Sequence, residues 1–164
     1  MSKSKVVKYW LENFPGLNKH TGTKLYSKIG PTICGIEIIN LPRVKEYRPH
    51  FVLYPLYRKG LKECLRYPEL LFEIENISGS GKHNQYSLAF EIESDSAKSV
   101  IQDAKDEIGF TFDSTVHISQ INRLFDNQII KGIRVPHLLE SKYLLNLVVG
   151  QNYGEKIIEE IIEL

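Results

Sequence analysis

The chain has 164 residues, carries 21 Lys+Arg against 20 Asp+Glu for a formal net charge of +1, and is 42% hydrophobic, 25% charged and 10% aromatic. These values exclude a disordered or collagen-like polypeptide, and a chain of this length buries enough surface to fold without disulfide staples. Its two cysteines, Cys34 and Cys64, are too few for a disulfide framework or a cysteine zinc site, and they form no CxxC pair.

The total hides a split. Residues 1–70 hold 13 Lys+Arg and 5 Asp+Glu, a net of +8, whereas residues 71–164 hold 8 and 15, a net of −7. Such asymmetry marks either a binding face or halves that pack together and offset each other's field. One compact domain favours the second. Lys8 and Glu12 interrupt the apolar run that a secretory leader needs. No window approaches about 18 uninterrupted apolar residues. The expectation is a cytoplasmic protein that stays out of the membrane.

In chain order, Val6, Val7, Trp10, Leu11 and Phe14 recur at helical spacing and predict a helix over residues 4–14, ended by Pro15-Gly16. A loop to about Gly22 follows. Lys24–Ile29 and Thr32–Ile39 read as strands punctuated by Gly30-Pro31 and closed by Asn40-Leu41-Pro42. His50–Arg58 reads as a third strand, apolar on both faces as a central strand is. Pro55 cannot donate to a ladder, so a bulge or an edge is expected there. Residues 60–70 read as a short helix or turn.

The clearest alternation comes next. Phe72 and Ile74 alternate with Glu73 and Glu75; Tyr86, Leu88, Phe90 and Ile92 alternate with polar residues that include Glu91 and Glu93. The turn-rich stretch Ser78–Asn84 lies between, so the segment predicts a β-hairpin with one buried and one wet face. Helices are expected from Ser94 or Asp95 to about Ile108, stopped at Gly109; from Asp113 or Ser114 onward, with Ile118, Ile121, Leu124 and Phe125 inward; from Pro136 to near Gly150; and over Gly154–Leu164. A helix, a run of strands, then a run of helices is an α+β pattern. The prediction is a single α+β domain over residues 1–164, with an antiparallel meander of about five strands.

Four groups of residues bear on chemistry. The loop Gly79-Ser80-Gly81-Lys82 departs from a phosphate-binding loop, because His83 replaces the Ser or Thr and a strand rather than a helix follows. It reads as a hairpin loop that presents Lys82 and His83. The carboxylates Glu73, Glu75, Glu91 and Glu93 fall on one wet face, where like charges repel. Cations from a neighbouring strand, with His50 and Arg58 the candidates, a basic protein partner, or a hard metal ion would compensate. The first of these leads.

The basic segment Arg43, Lys45 and Arg48, with Arg58 and Lys59 beyond it and Tyr54 and Tyr57 interleaved, has the composition that tracks a phosphate backbone. Sheet packing is the plainer role for the tyrosines. The five histidines show no i, i+3 or i, i+4 pair, and no Gly-x-Ser-x-Gly elbow occurs.

The reading that results is a non-catalytic accessory protein of a bacterium or phage, of the immunity or defence kind. It takes a protein partner through Glu73, Glu75, Glu91, Glu93, Lys82 and His83, and needs no cofactor or metal. The alternatives are a nucleic-acid-binding protein that uses Arg43, Lys45, Arg48, Arg58 and Lys59, and a divalent-metal hydrolase that uses the hairpin glutamates. The apolar stripe Ile157, Ile158, Ile161 and Ile162 docks on the protein's own core or forms a homodimer.

Overall fold

Helix α1 (Lys3–Asn13) forms where the apolar spacing predicts it. Trp10 and Phe14 face inward, fully buried and stacked at 5.7 Å between ring centroids. The computed structural model describes residues 3–41, 43–57, 60–76, 84–87, 95–113, 115–132 and 135–150. The remaining elements are β1 (Asn18–Thr21), β2 (Lys24–Ile29), β3 (Thr32–Leu41), β4 (Glu46–Pro55), α2 (Leu61–Cys64), β5 (Leu70–Glu73), β6 (Tyr86–Ser87), α3 (Asp95–Ile108), α4 (Ile118–Ile130) and α5 (Val135–Val148). The fold is therefore α+β, with an antiparallel sheet ordered β1-β2-β3-β4-β5 and β6 paired with β4.

Residues 154–164, the strand positions with Glu91 and Glu93, the loop residues Lys82 and His83, and Arg58 with Lys59 lie outside the described residues. Among those described, no helix is long and apolar enough to cross a membrane.

Chain contacts define two units. The first comprises Met1–Ser27, Cys34–Val52 and Leu71–Val116. Its core lies on one face of the strands. Trp10 Nε1 donates to the Tyr47 hydroxyl at 3.4 Å. Phe51 stacks on Phe72 at 5.0 Å and on Phe112 at 6.1 Å, with Phe110 edge-on. Helix α3 closes this side: Lys105 Nζ sits 5.8 Å from the Phe14 ring centre, and Glu107 Oε2 accepts from the Glu75 N–H at 2.9 Å. Helix α3 stops at Gly109, whose φ of +76° suits a residue without a Cβ.

Strand β4 shows why the predicted hairpin is paired differently. Ile74 N donates to Pro49 O at 3.0 Å. Glu46 lies opposite Ser87, and Tyr47 opposite Tyr86. Among the described residues, β5 and β6 therefore share one edge of β4 in succession, and β6 is seen on β4 rather than on β5. The changeover falls at Pro49, which has no N–H to offer either neighbour. Pro55 ends the strand. From Phe51 to Pro55 every residue is buried, as expected for a central strand.

The second unit comprises Lys28–Ile33, Leu53–Leu70 and His117–Leu164. Helices α4 and α5 form an antiparallel pair joined through residues 131–134. Asn122 and Asn146 exchange amide hydrogen bonds at 2.8 and 3.1 Å, and Lys142 Nζ lies 2.5 Å from Asp126 Oδ1. Helix α4 begins at Ile118, later than the start expected from Asp113 or Ser114; Ser114 lies outside the described residues. His117 takes the N-cap position, with its backbone N–H donating to Gln120 Oε1 at 2.9 Å. Asp113 instead accepts from the backbone N–H of Thr115 at 2.9 Å and from the hydroxyls of Thr111 and Thr115. Those bonds hold its carboxyl below the ordinary aspartate range.

Candidate functional site

Alternation along the strands of the first unit decides what the sheet's other face carries. Tyr47 and Phe51 point into the core, so Glu46, Arg48 and His50 point away from it. Leu70 and Phe72 are buried, which turns Leu71 and Glu73 outward. Leu25 is buried, as are Ile36 and Ile38, which leaves Lys24, Tyr26, Glu37 and Ile39 on the outer side.

Two polar networks occupy this face. In the first, Lys24 Nζ lies 3.0 Å from Glu37 Oε1, and the Tyr26 hydroxyl donates to the same oxygen. His20 stacks on Tyr26 at 5.3 Å. In the second, Glu73 Oε1 lies 3.4 Å from Arg48 Nη1 and 3.6 Å from His50 Nε2. Glu73 Oε2 accepts from Asn84 Nδ2 at 3.5 Å. With its amide turned to suit the surrounding charges, Gln85 donates to Glu46 Oε2 and accepts from Arg48 Nη2, both at 2.6 Å. Arg48 is thus fixed by β5 and by the approach to β6 together. Asn76 ties that approach to the end of β5: its backbone N–H donates to Asn84 Oδ1 at 3.2 Å and its side-chain amide to Gln85 O at 3.4 Å.

The carboxylate compensation predicted for the wet face is therefore present at Glu73. His50 Nε2 lies beside the same carboxylate. Arg48, two residues before His50 on the same face of β4, supplies a guanidinium to that carboxylate, and Arg58 lies outside the described residues. Glu75 is exposed just beyond β5. Of the basic segment, Arg43 and Lys45 are exposed in the β3–β4 turn, whereas Arg48 is half-buried and bonded to Glu73 and Gln85. Among the described residues no three His, Cys, Asp or Glu side chains converge as a cation cage. The carboxylate of Glu73 faces cationic and amide donors.

The second unit brings a serine, a histidine and a carboxylate together across 72 residues of sequence. Ser141 Oγ donates to Glu69 Oε2 at 2.5 Å, and His137 Nε2 lies 3.5 Å from the same oxygen. All three residue types of a hydrolytic triad are present, but the carboxylate stands between the other two. A nucleophilic serine needs the imidazole as its immediate base. Here the Ser141 proton goes to Glu69, and His137 Nε2 makes no hydrogen bond. Ser141 and Glu69 are buried at 2% and 5% exposure. The arrangement is a buried carboxylate bonded by a hydroxyl with an imidazole beside it. Sequence offered no sign of it, since Glu69 lies between α2 and β5 and its partners lie on α5.

On the core side, burial raises the pKa of both Tyr47 and Tyr86. The carboxylates of Asp103 and Glu107 push Tyr86 further in the same direction. Both phenols are neutral below the ordinary tyrosine value, so their contribution is intact there. As pH rises above that value the unfolded chain ionises first, and stability falls progressively up to the folded-state pKa values. An alkaline titration followed by tyrosinate absorbance and circular dichroism should show a fraction of the tyrosines ionising only as the fold is lost. Smooth ionisation of all nine tyrosines with the fold intact would contradict this burial.

The chain matches no family model, no curated protein and no solved structure.

Proposed function

We propose that the protein is a non-catalytic binding protein and that the outer face of the first unit's sheet takes a protein partner. The observation that supports this reading is the mixture of groups on that face. Ile39 is 43% and Leu71 53% exposed, and both flank polar groups already fixed by one another: Arg48, His50 and Glu73 on one side, Lys24 and Glu37 on the other. Exposed apolar side chains among ordered polar ones give the composition of a protein interface, with desolvation from the first and register from the second. Pre-fixed charges lose little freedom when a partner docks. Nucleic-acid binding is supported less well, because Arg48 is engaged by a carboxylate and only Arg43 and Lys45 of the described basic segment stand exposed.

The test is affinity capture from cell extract with the unaltered protein and with Ile39→Asp plus Leu71→Asp. Specific proteins should be retained by the former and weakened roughly tenfold or more by the double change. Thermal denaturation should barely change, since both sites are exposed. Parallel titrations with mixed-sequence DNA and RNA across salt should show no steep dependence of affinity on salt. Unchanged protein capture together with steep salt-dependent nucleic-acid binding would reverse the assignment.

A further inference from the structure

Helix α5 is apolar on both sides: Leu138, Leu139 and Leu145 are buried, yet further apolar side chains face outward. Its buried residues include Ser141 and Asn146, each 2% exposed, while Leu144, Leu147 and Val148 are 38%, 51% and 47% exposed. The buried polar groups are accounted for: Ser141 bonds Glu69, and Asn146 bonds Asn122 and the Lys142 carbonyl. Nothing described accounts for the exposed ones. Leu144, Leu147 and Val148 are spaced i, i+3 and i+4, so they form one continuous outer stripe over the last turn and a half. A helix that is apolar on both sides is normally covered on both.

We propose that this stripe is the docking surface for residues 151–164 of the same chain. Three observations select that occupant. First, the direction is right: α5 ends in a reversing cap, with Gly150 at φ +70° and its N–H on the Leu147 carbonyl at 3.1 Å. Second, the segment that follows matches in pattern, with Ile157, Ile158, Ile161 and Ile162 at helical spacing, Glu159 and Glu160 between them, and Glu155 and Glu163 on either side. Third, the lengths agree. Residues 154–164 as a helix span about 16 Å, and α5 spans about 21 Å. The five residues 149–153 suit an antiparallel helical hairpin. In that register Leu144 opposes the neighbourhood of Ile158. A tethered segment also reaches its site at a high effective concentration, which a second copy does not. The inference is independent of the sheet-face reading.

The test uses the full chain. Leu144→Cys is combined in turn with Ile157→Cys, Ile158→Cys and Ile161→Cys, and each protein is oxidised. The native Cys34 and Cys64 are buried and do not compete. In at least one pairing the expected product is an intrachain disulfide, seen as faster migration without reductant at unchanged monomer mass. Interchain products alone would assign the stripe to a second copy, and no cross-link in any pairing would leave the segment elsewhere; either overturns the proposal. A second readout needs no disulfide. Leu144→Glu and Ile158→Glu should each lower the melting temperature, and the double variant should lose little beyond the larger single effect. Fully additive losses would also overturn it.

Discussion

Gly35→Ala should destabilise the protein by about 3 kcal/mol or more, at the upper end of what overpacking costs. A Cβ at Gly35 would lie 1.9 Å from the Leu25 carbonyl oxygen and 2.9 Å from Tyr26 Cα. Both obstacles are backbone, so no side-chain rotation relieves the clash; β2 and β3 must separate. These strands carry Lys24, Tyr26 and Glu37, so the first polar network of the outer face should loosen with them. Gly22→Ala is the matched control, because a Cβ there meets nothing within 4 Å. Urea midpoints for the two variants decide the matter. If Gly35→Ala unfolds at the control's midpoint, the close approach of β2 to β3 is wrong.

Trp10→Ala is the second large effect, expected at about 3–5 kcal/mol. Trp10 is fully buried, stacked on Phe14, and bonded through its indole N–H to Tyr47. Removal leaves a cavity between α1 and β4 and strips the Tyr47 hydroxyl of that donor. Trp10→Phe keeps the ring packing and loses the N–H, so its loss should be clearly smaller. The comparison Tyr47→Phe isolates the other partner: it orphans a buried indole N–H, at about 1–3 kcal/mol. Denaturation followed by circular dichroism gives the order Trp10→Ala worst. Equal losses for Trp10→Ala and Trp10→Phe would mean that the hydrogen bond, not the ring, holds α1 in place.

The parts of the fold that rest on local signals were legible. Lys24–Ile29 is a strand at both predicted ends, and α3 stops at Gly109 because a glycine there permits positive φ. The parts that rest on tertiary context were not. Strand β1 has four exposed residues, Asn18 to Thr21, and so lacks any hydrophobic alternation. Strand β4 begins at Glu46, four residues before its predicted start, because Glu46 and Arg48 look like linker charges until Tyr47 and Pro49 are known to face inward.

The site follows the same division. Alternation alone put His50 on the same face as the hairpin glutamates; that its neighbour is Glu73 comes from the strand pairing. Sequence shows the charge of Arg48, which makes it a phosphate contact in the alternative nucleic-acid reading, and hides its partners on β5 and before β6. Glu69, Ser141 and His137 meet only through the packing of the second unit, and no spacing rule reaches across that distance.

Cys34 is completely buried and Cys64 nearly so, and burial raises the pKa of the Cys34 thiol. Only a thiolate reacts quickly with alkylating reagents, so the folded chain shields Cys34 twice, by access and by ionisation. Cys34 belongs to the first unit and Cys64 to the second. Each unit therefore carries its own chemical clock: the rate at which a thiol is trapped measures how often that unit opens. Two such rates, resolved by mass spectrometry on one unaltered protein, distinguish a chain whose halves open together from one whose halves open separately.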